Sequence, residues 1–183
     1  MRLSLPHILT LCRLLAPLGL CPLLILTDET WRLPLAIAFT LFALTDWMDG
    51  WLARRLGQTS RWGEILDPIA DKILVLLVLL ALIIRSELNA LAYIFIFVVF
   101  ARELIMSGLR AGSPLAQSAL QVSTLSRTKT LLTYVACGLL ILGEGFEIKG
   151  FEAGSLEIAG TLILGVSLIP GILSLIFSIG RAS

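Results

Sequence analysis

Apolar runs of about 20 residues recur along the whole chain, and they restrict its fold more than any other feature, because a helix of that length crosses a bilayer. Short polar stretches separate six such runs, at residues 8–26, 33–55, 67–84, 90–111, 128–143 and 156–178. Hydrophobic residues make up 57% of the chain and charged residues 15%, a balance typical of membrane proteins. We therefore predict an all-α, polytopic integral membrane protein with six transmembrane helices, in a single domain covering residues 1–183.

The placement of lysine and arginine predicts the orientation of these helices, because positive charges concentrate in cytoplasmic connections. One side carries only Arg32, Arg85 and Lys149. The other side carries most of the cations, namely Arg2, Arg54, Arg55, Arg61, Arg110, Arg127, Lys129 and Arg181. We expect both termini to be cytoplasmic. The net charge of +1 provides no basic field for nucleic acid, so we exclude nucleic-acid binding.

Four aspartates lie near the predicted cytoplasmic ends of the second and third helices. Asp46 and Asp49 are three residues apart, and Asp67 and Asp71 are four apart. Both spacings place a pair on one helix face. Ionisable residues inside a membrane are costly and usually functional, and four facing carboxylates repel one another unless cations lie between them. Oxygen ligands suit Mg²⁺ or Mn²⁺, so the pattern predicts a site for two divalent cations.

The residues around the aspartates refine this prediction. Small side chains at Gly50 and Ala53 continue the face of the first pair and allow either a bulky ligand or another helix to approach the backbone. Arg54 lies one turn beyond Gly50 and can meet a phosphate. Gly63 is expected in the turn before the third helix. That helix is expected to begin at the next dipeptide, with Asp67 near the N-cap and Pro68 near the first helical position.

A longer pattern runs through both pairs, in the order Asp46-x2-Asp49-Gly50-x2-Ala53-Arg54-x8-Gly63-x3-Asp67-x3-Asp71. These eight positions at constant spacing resemble the complete signature of the CDP-alcohol phosphotransferase family. The resemblance implies that Asp46, Asp49, Asp67 and Asp71 hold two divalent cations against the diphosphate of a CDP-linked donor. Asp71 is then also the general base that takes the proton of the acceptor hydroxyl. The residues implied in binding CDP-diacylglycerol are Asp49, Gly50, Ala53, Arg54, Gly63 and Thr10.

Three further stretches resemble the branch of this family whose acceptor is glycerol 3-phosphate. They are residues 5–13, residues 101–110 and residues 127–130. Arg110, Arg127 and Lys129 are expected to cluster at the membrane level of the aspartates, where they would bind an acceptor phosphate. The positive-inside distribution alone also accounts for these cations, and so does contact with anionic headgroups. For Arg102, an ion pair with Glu103 or another buried acid is the alternative to a substrate contact.

Other functions remain open at the level of the sequence. Another family member, such as a CDP-dependent cardiolipin synthase or a phosphatidylserine or phosphatidylinositol-phosphate synthase, would share the donor signature. An intramembrane prenyltransferase also uses aspartates and magnesium, but it needs more helices and lacks the Gly-xx-Ala-Arg run. A divalent-metal transporter would place its acids at the membrane midplane. The family resemblance further implies a homodimer, and the small chain with a cytoplasmic site favours a bacterial inner membrane.

Overall fold

The computed structural model describes residues 5–56, 61–85, 88–112, 124–143 and 154–182. Within these ranges it describes the side chains except those of residues 5–10, 46–56, 61–68, 71, 110–112, 124 and 178–182. The described chain forms six long helices, which are α1 (Leu5–Leu26), α2 (Arg32–Leu56), α3 (Arg61–Arg85), α4 (Ala90–Gly112), α5 (Thr124–Leu142) and α6 (Ser155–Ala182). A 3₁₀ turn at Glu29–Trp31 precedes α2. The all-α prediction is thus confirmed for this part of the chain.

Each apolar run of the sequence corresponds to one helix, and the predicted start of the third helix is wrong. This helix begins at Arg61, six residues earlier than predicted. Asp67 is therefore not an N-cap and Pro68 is not a first-turn residue, while Gly63 lies within the helix and not in a turn before it. The physical reason is an apolar pattern with helical spacing that continues across Pro68, at Trp62, Ile65, Leu66 and Ile69.

Three helices are long and apolar enough to cross a membrane, among the residues that the structure describes. They are Ala90–Leu109, Leu125–Leu142 and Ser155–Phe177. Large apolar side chains on these segments also face outward, including Phe97, Leu104 and Ile169, which are 60–68% exposed. An apolar surface of this kind is stable in lipid and not in water. The chain is therefore a membrane protein.

The first three helices pack with α1 against both α2 and α3. Arg85 at the end of α3 donates hydrogen bonds from Nη1 to the carbonyl oxygens of Leu24 and Thr27, each at 2.8 Å. It thereby satisfies carbonyls that the end of α1 leaves without helical partners. The C-terminal ends of α1 and α3 lie together, so these two helices run parallel and α2 runs in the opposite direction. The second half of α2 and the first half of α3 consequently lie at the same end of the bundle.

The last three helices pack closely because α6 presents glycines to its neighbours. A Cβ atom on Gly165 would lie 2.6 Å from the ring of Phe95 in α4, and one on Gly160 would lie 3.0 Å from Leu140 in α5. The α5–α6 contact is the most extensive of the bundle. Phe39 of α2 joins the two halves through an edge-on contact with Tyr134 of α5, with ring centroids 6.1 Å apart.

Asn89 fixes the start of α4 against α6. Its Oδ1 accepts a hydrogen bond from the backbone N–H of Ala92 at 2.8 Å, which is an N-cap. The Asn89 backbone N–H and Nδ2 both donate to Glu157 Oε1, at 2.6 and 2.7 Å, and Nδ2 also donates to Thr161 Oγ1 at 3.1 Å. Glu157 is buried, and neutral donors satisfy this carboxylate oxygen.

Candidate active site

The two aspartate pairs lie on neighbouring helices at one end of the bundle. Asp46 and Asp49 belong to the second half of α2, and Asp67 and Asp71 to the first half of α3. The helical spacing places each pair on one face of its helix, and α2 contacts α3. The structure therefore brings the two segments to the same end. Most of the predicted site residues lie at positions where the structure describes the backbone but not the side-chain surroundings. These positions are Asp46, Asp49, Gly50, Ala53, Arg54, Gly63, Asp67, Asp71, Thr10 and Arg110.

At the same end, a buried carboxylate joins cations from three helices. Glu103 of α4 is 5% exposed. Its Oε1 accepts hydrogen bonds from Arg102 Nη1, at 2.5 Å, and from Lys129 Nζ of α5. Its Oε2 lies 3.6 Å from Lys72 Nζ of α3. Burial of a carboxylate is costly unless it is paired, and these contacts offset that cost. We call these four residues the Glu103 cluster.

Arg102 anchors the cluster to α6. Besides its bond to Glu103, its Nη2 donates to Ser174 Oγ at 2.6 Å, and its Nε donates to the carbonyl oxygen of Gly171 at 3.3 Å. The ion pair with Glu103, which the sequence offered as an alternative to a substrate contact, is present. All three guanidinium nitrogens are engaged within the protein, so Arg102 has a structural role between α4 and α6.

Lys72 connects the cluster to the aspartates. It follows Asp71 directly in α3, and its Nζ donates to Ser107 Oγ of α4 at 2.7 Å. The backbone of Asp71 therefore lies at the level of Glu103 and Lys129. Lys72, the neighbour of Asp71 in the chain, and Lys129 thus contact the same carboxylate, that of Glu103.

The three cations predicted for the acceptor phosphate differ in their surroundings. Arg110 lies in the last turn of α4. Arg127 is exposed in the first turn of α5, and Lys129 follows two residues later with its side chain 14% exposed. Lys129 is thus largely buried and bonded to Glu103.

Arg13 of α1 is another buried cation near this end, with an exposure of 0%. Asp71 lies 14 residues before Arg85, and Arg13 lies 14 residues before Thr27, which Arg85 contacts. Because α1 and α3 run parallel with equal rise per residue, Arg13 lies within about one helical turn of the level of Asp71. A buried arginine of α1 therefore lies at about the height of the aspartate pair of α3.

Sequence reasoning did not assign a function to Lys72 or Glu103. The available signal was the cost of charges within apolar helices, since Glu103 interrupts a membrane span and Lys72 opens the apolar run of α3. Their partners could not be read from the sequence, because Glu103 is 31 residues from Lys72 and 26 from Lys129.

Among side chains that the structure describes, no group of three or more His, Cys, Asp or Glu residues could hold a metal ion. The predicted metal ligands belong to the part of α2 and α3 whose side chains lie outside that description. The chemistry of these four predicted ligands fits hard divalent cations, because all are carboxylates and they come in pairs from adjacent helices.

The aspartate pairs and the Glu103 cluster thus lie at the same end of a bundle of membrane helices. Residues 3–173 match the family model of CDP-alcohol phosphatidyltransferases, so the chain belongs to this family. This confirms the family resemblance of its aspartate signature.

Several curated relatives that share one enzyme name are similar to this chain over most of its length. The CDP-diacylglycerol–glycerol-3-phosphate 3-phosphatidyltransferase of Rickettsia bellii is 36% identical over 90% of this chain and 87% of its own length. The enzyme of that name from Cereibacter sphaeroides is 38% identical over 80% of this chain and 67% of its own. The one from Wigglesworthia glossinidia brevipalpis is 37% identical over 96% and 93%.

Proposed function

We propose that this protein transfers the phosphatidyl group of CDP-diacylglycerol to a hydroxyl of glycerol 3-phosphate, producing phosphatidylglycerophosphate and CMP. The observation that carries the proposal is the signature from Asp46 to Asp71 on two neighbouring helices, in a chain similar over most of its length to relatives named for this activity. A transferase of this kind serves phospholipid biosynthesis, because its product is a membrane lipid precursor.

We infer that Asp46, Asp49, Asp67 and Asp71 hold two divalent cations, either Mg²⁺ or Mn²⁺. Family members generally use divalent metals, and paired carboxylates on adjacent helices are the appropriate ligands. When bound, such cations neutralise charge on the transferring phosphoryl group and on the leaving CMP.

Asp71 also acts as the general base in this proposal. Its carboxylate takes the proton from the acceptor hydroxyl. The hydroxyl oxygen then forms a bond to the phosphorus that carries diacylglycerol, and the bond from that phosphorus to the CMP oxygen breaks. The donor lies against α2, the start of α3 and α1, where we assign its contacts to Asp49, Gly50, Ala53, Arg54, Gly63 and Thr10.

We assign the acceptor phosphate to Arg110, Arg127 and Lys129. Two observations support this assignment. Lys129 belongs to a cluster that includes Lys72, the neighbour of Asp71. Arg127 is exposed at the same end of α5. A phosphate bound there would lie near the segment that carries the base, as transfer requires.

We further propose that all six helices span the membrane, that both termini are cytoplasmic, and that the protein is a homodimer in a single membrane domain. The three apolar spans and the bacterial origin of the relatives named above support a bacterial inner membrane. The distribution of lysine and arginine supports an active site on the cytoplasmic face.

The test is CMP release by the purified protein in detergent, with CDP-diacylglycerol, Mg²⁺ and one acceptor at a time. The proposal expects release that depends on glycerol 3-phosphate, with phosphatidylglycerophosphate as the lipid product. Release only with phosphatidylglycerol, serine or an inositol phosphate would keep the family chemistry and overturn the acceptor. No release from folded protein with any acceptor would overturn the transferase and favour metal transport, which uptake into vesicles would measure.

A further inference from the structure

We infer that Glu103 is a positioning residue of the acceptor site, whose carboxylate holds Lys129 in place to bind the acceptor phosphate and keeps Lys129 in register with the helix of Asp71. This inference rests on the proposed function. It assigns a role to Glu103 in the site proposed for the acceptor phosphate. A carboxylate there would repel the phosphate unless its charge were used to hold the neighbouring cations.

The geometry separates the roles of the two cations on Glu103 Oε1. Arg102 uses its remaining nitrogens on Ser174 and on the carbonyl of Gly171. Lys129 Nζ has Glu103 as its one hydrogen-bond partner among the described residues. An ammonium group has three N–H donors, so Lys129 retains donors for a ligand. Its side chain is 14% exposed, against 7% for Arg102, so it is the more accessible of the two cations.

The charge balance favours an anion at this position. Arg102 and Lys129 share a single carboxylate partner among the described side chains, so this buried trio carries one surplus positive charge. A phosphate that approaches Lys129 supplies negative charge and charge-assisted hydrogen bonds, which are stronger at a partly buried site than in water. The trio is therefore suited to a phosphorylated acceptor more than to a neutral alcohol.

The second oxygen of Glu103 couples this cation to the reacting end. Oε2 faces Lys72 at 3.6 Å, and Lys72 also bonds to Ser107. One carboxylate thus sets the relative height of α3 and α5. Glycerol 3-phosphate carries its phosphate and its reacting hydroxyl at opposite ends of a three-carbon chain. Holding the phosphate at α5 consequently determines where the hydroxyl lies relative to Asp71 on α3.

Glu157 offers a matched control for a substitution at Glu103. Both are glutamates on apolar helices and both are 5% exposed. Glu157 bonds to neutral groups at the opposite end of the bundle. Glu103→Gln and Glu157→Gln therefore remove the same charge from the same degree of burial, with only one of them in contact with Lys129.

The experiment measures kcat and KM for glycerol 3-phosphate at saturating CDP-diacylglycerol, together with the thermal midpoint in detergent. We expect Glu103→Gln to raise the KM for glycerol 3-phosphate roughly tenfold or more, since it removes the charge-assisted hydrogen bond that holds Lys129. The KM for the lipid donor should stay unchanged. We expect Glu157→Gln to leave both KM values unchanged, and Glu103→Asp to recover part of the loss.

A double-mutant cycle with Lys129→Met then tests whether Glu103 acts through Lys129. The inference expects Glu103→Gln to raise the acceptor KM little further in the Lys129→Met background. Full additivity would overturn it, as would an unchanged acceptor KM in Glu103→Gln. If Glu103→Gln does not fold, Glu103→Asp in both backgrounds decides by the same criterion. Absence of glycerol 3-phosphate turnover in the wild type would instead overturn the proposed function itself, so the two failures are distinguishable.

Discussion

The two ends of the helix bundle each bury a glutamate, and they satisfy its charge in opposite ways. At one end Glu103 contacts Arg102, Lys129 and Lys72. At the other end Glu157 accepts from the backbone and side-chain amides of Asn89. At the Glu103 end the partners are charged side chains that come from three different helices. At the Glu157 end both donors are neutral and belong to one residue, namely the backbone N–H and the side-chain amide of Asn89.

The difference indicates that the two ends of the bundle have different roles. The Glu157 end contains an N-cap of α4, the Arg85 bonds to α1 and Gly143, whose φ of +49° follows the end of α5. These are devices that terminate and join helices. The Glu103 end carries the aspartate pairs and the cation cluster. Substitutions at the Glu157 end should therefore change stability, and those at the Glu103 end should change kinetics.

The largest effect is expected for Asp71→Asn at the Glu103 end. Loss of a general base reduces turnover by roughly 10²–10⁴-fold. The rate of CMP release should fall by roughly 10²-fold or more, because the substitution also alters a predicted metal ligand. Binding of CDP-diacylglycerol and the thermal midpoint serve as controls for folding. Near-normal CMP release in this variant would remove Asp71 from the mechanism and weaken the kinetic assignment of this end.

A smaller effect at the same end is expected for Arg110→Ala. Loss of a charge-assisted contact to the acceptor phosphate should raise the KM for glycerol 3-phosphate roughly tenfold, with little change in the KM for the lipid donor. Steady-state kinetics at saturating donor measure this. If the acceptor KM does not change, Arg110 contributes only to membrane topology, and the acceptor site reduces to α5.

The smallest effect is expected for Asn89→Ala at the Glu157 end. It removes an N-cap, which stabilises by about 1 kcal/mol, and the side-chain bonds to Glu157 and Thr161. The thermal midpoint in detergent should fall while both KM values remain at wild-type levels. Asn89→Asp keeps the cap oxygen but places a second carboxylate against Glu157, so it should lower the midpoint as well. A changed acceptor KM in Asn89→Ala would break the division between the two ends.

The helices were predictable because apolar length is a local property of the chain. Most predicted boundaries lie within a few residues of the observed ones, as for 90–111 against Ala90–Gly112. The third helix differs because Asp67-Pro68 resembles a helix start locally, while the apolar spacing upstream continues the helix back to Arg61. The topology of six spans remains a prediction, since three segments of the described chain meet the length and hydropathy of a span.

The candidate site was predictable only in part. The aspartate signature and the family follow from residue types at set spacings, and the family is confirmed. The assignment of individual metal, donor and acceptor residues remains a prediction. The bond between Lys129 and Glu103 was not predictable, because nothing in the sequence indicates which face of α5 meets α4.

The sequence by itself determined the membrane class, the helices and the family, because these depend on apolar length and on residue types at set spacings along the chain. Only the tertiary structure decided that Glu103 also meets Lys129 and Lys72, whereas Glu157 meets Asn89. The physical reason is that such pairs depend on the rotation and height of whole helices. Close packing between helices, as at Gly160 and Gly165, sets this rotation and height. The residues that pack together are far apart in the sequence, so no local pattern indicates them.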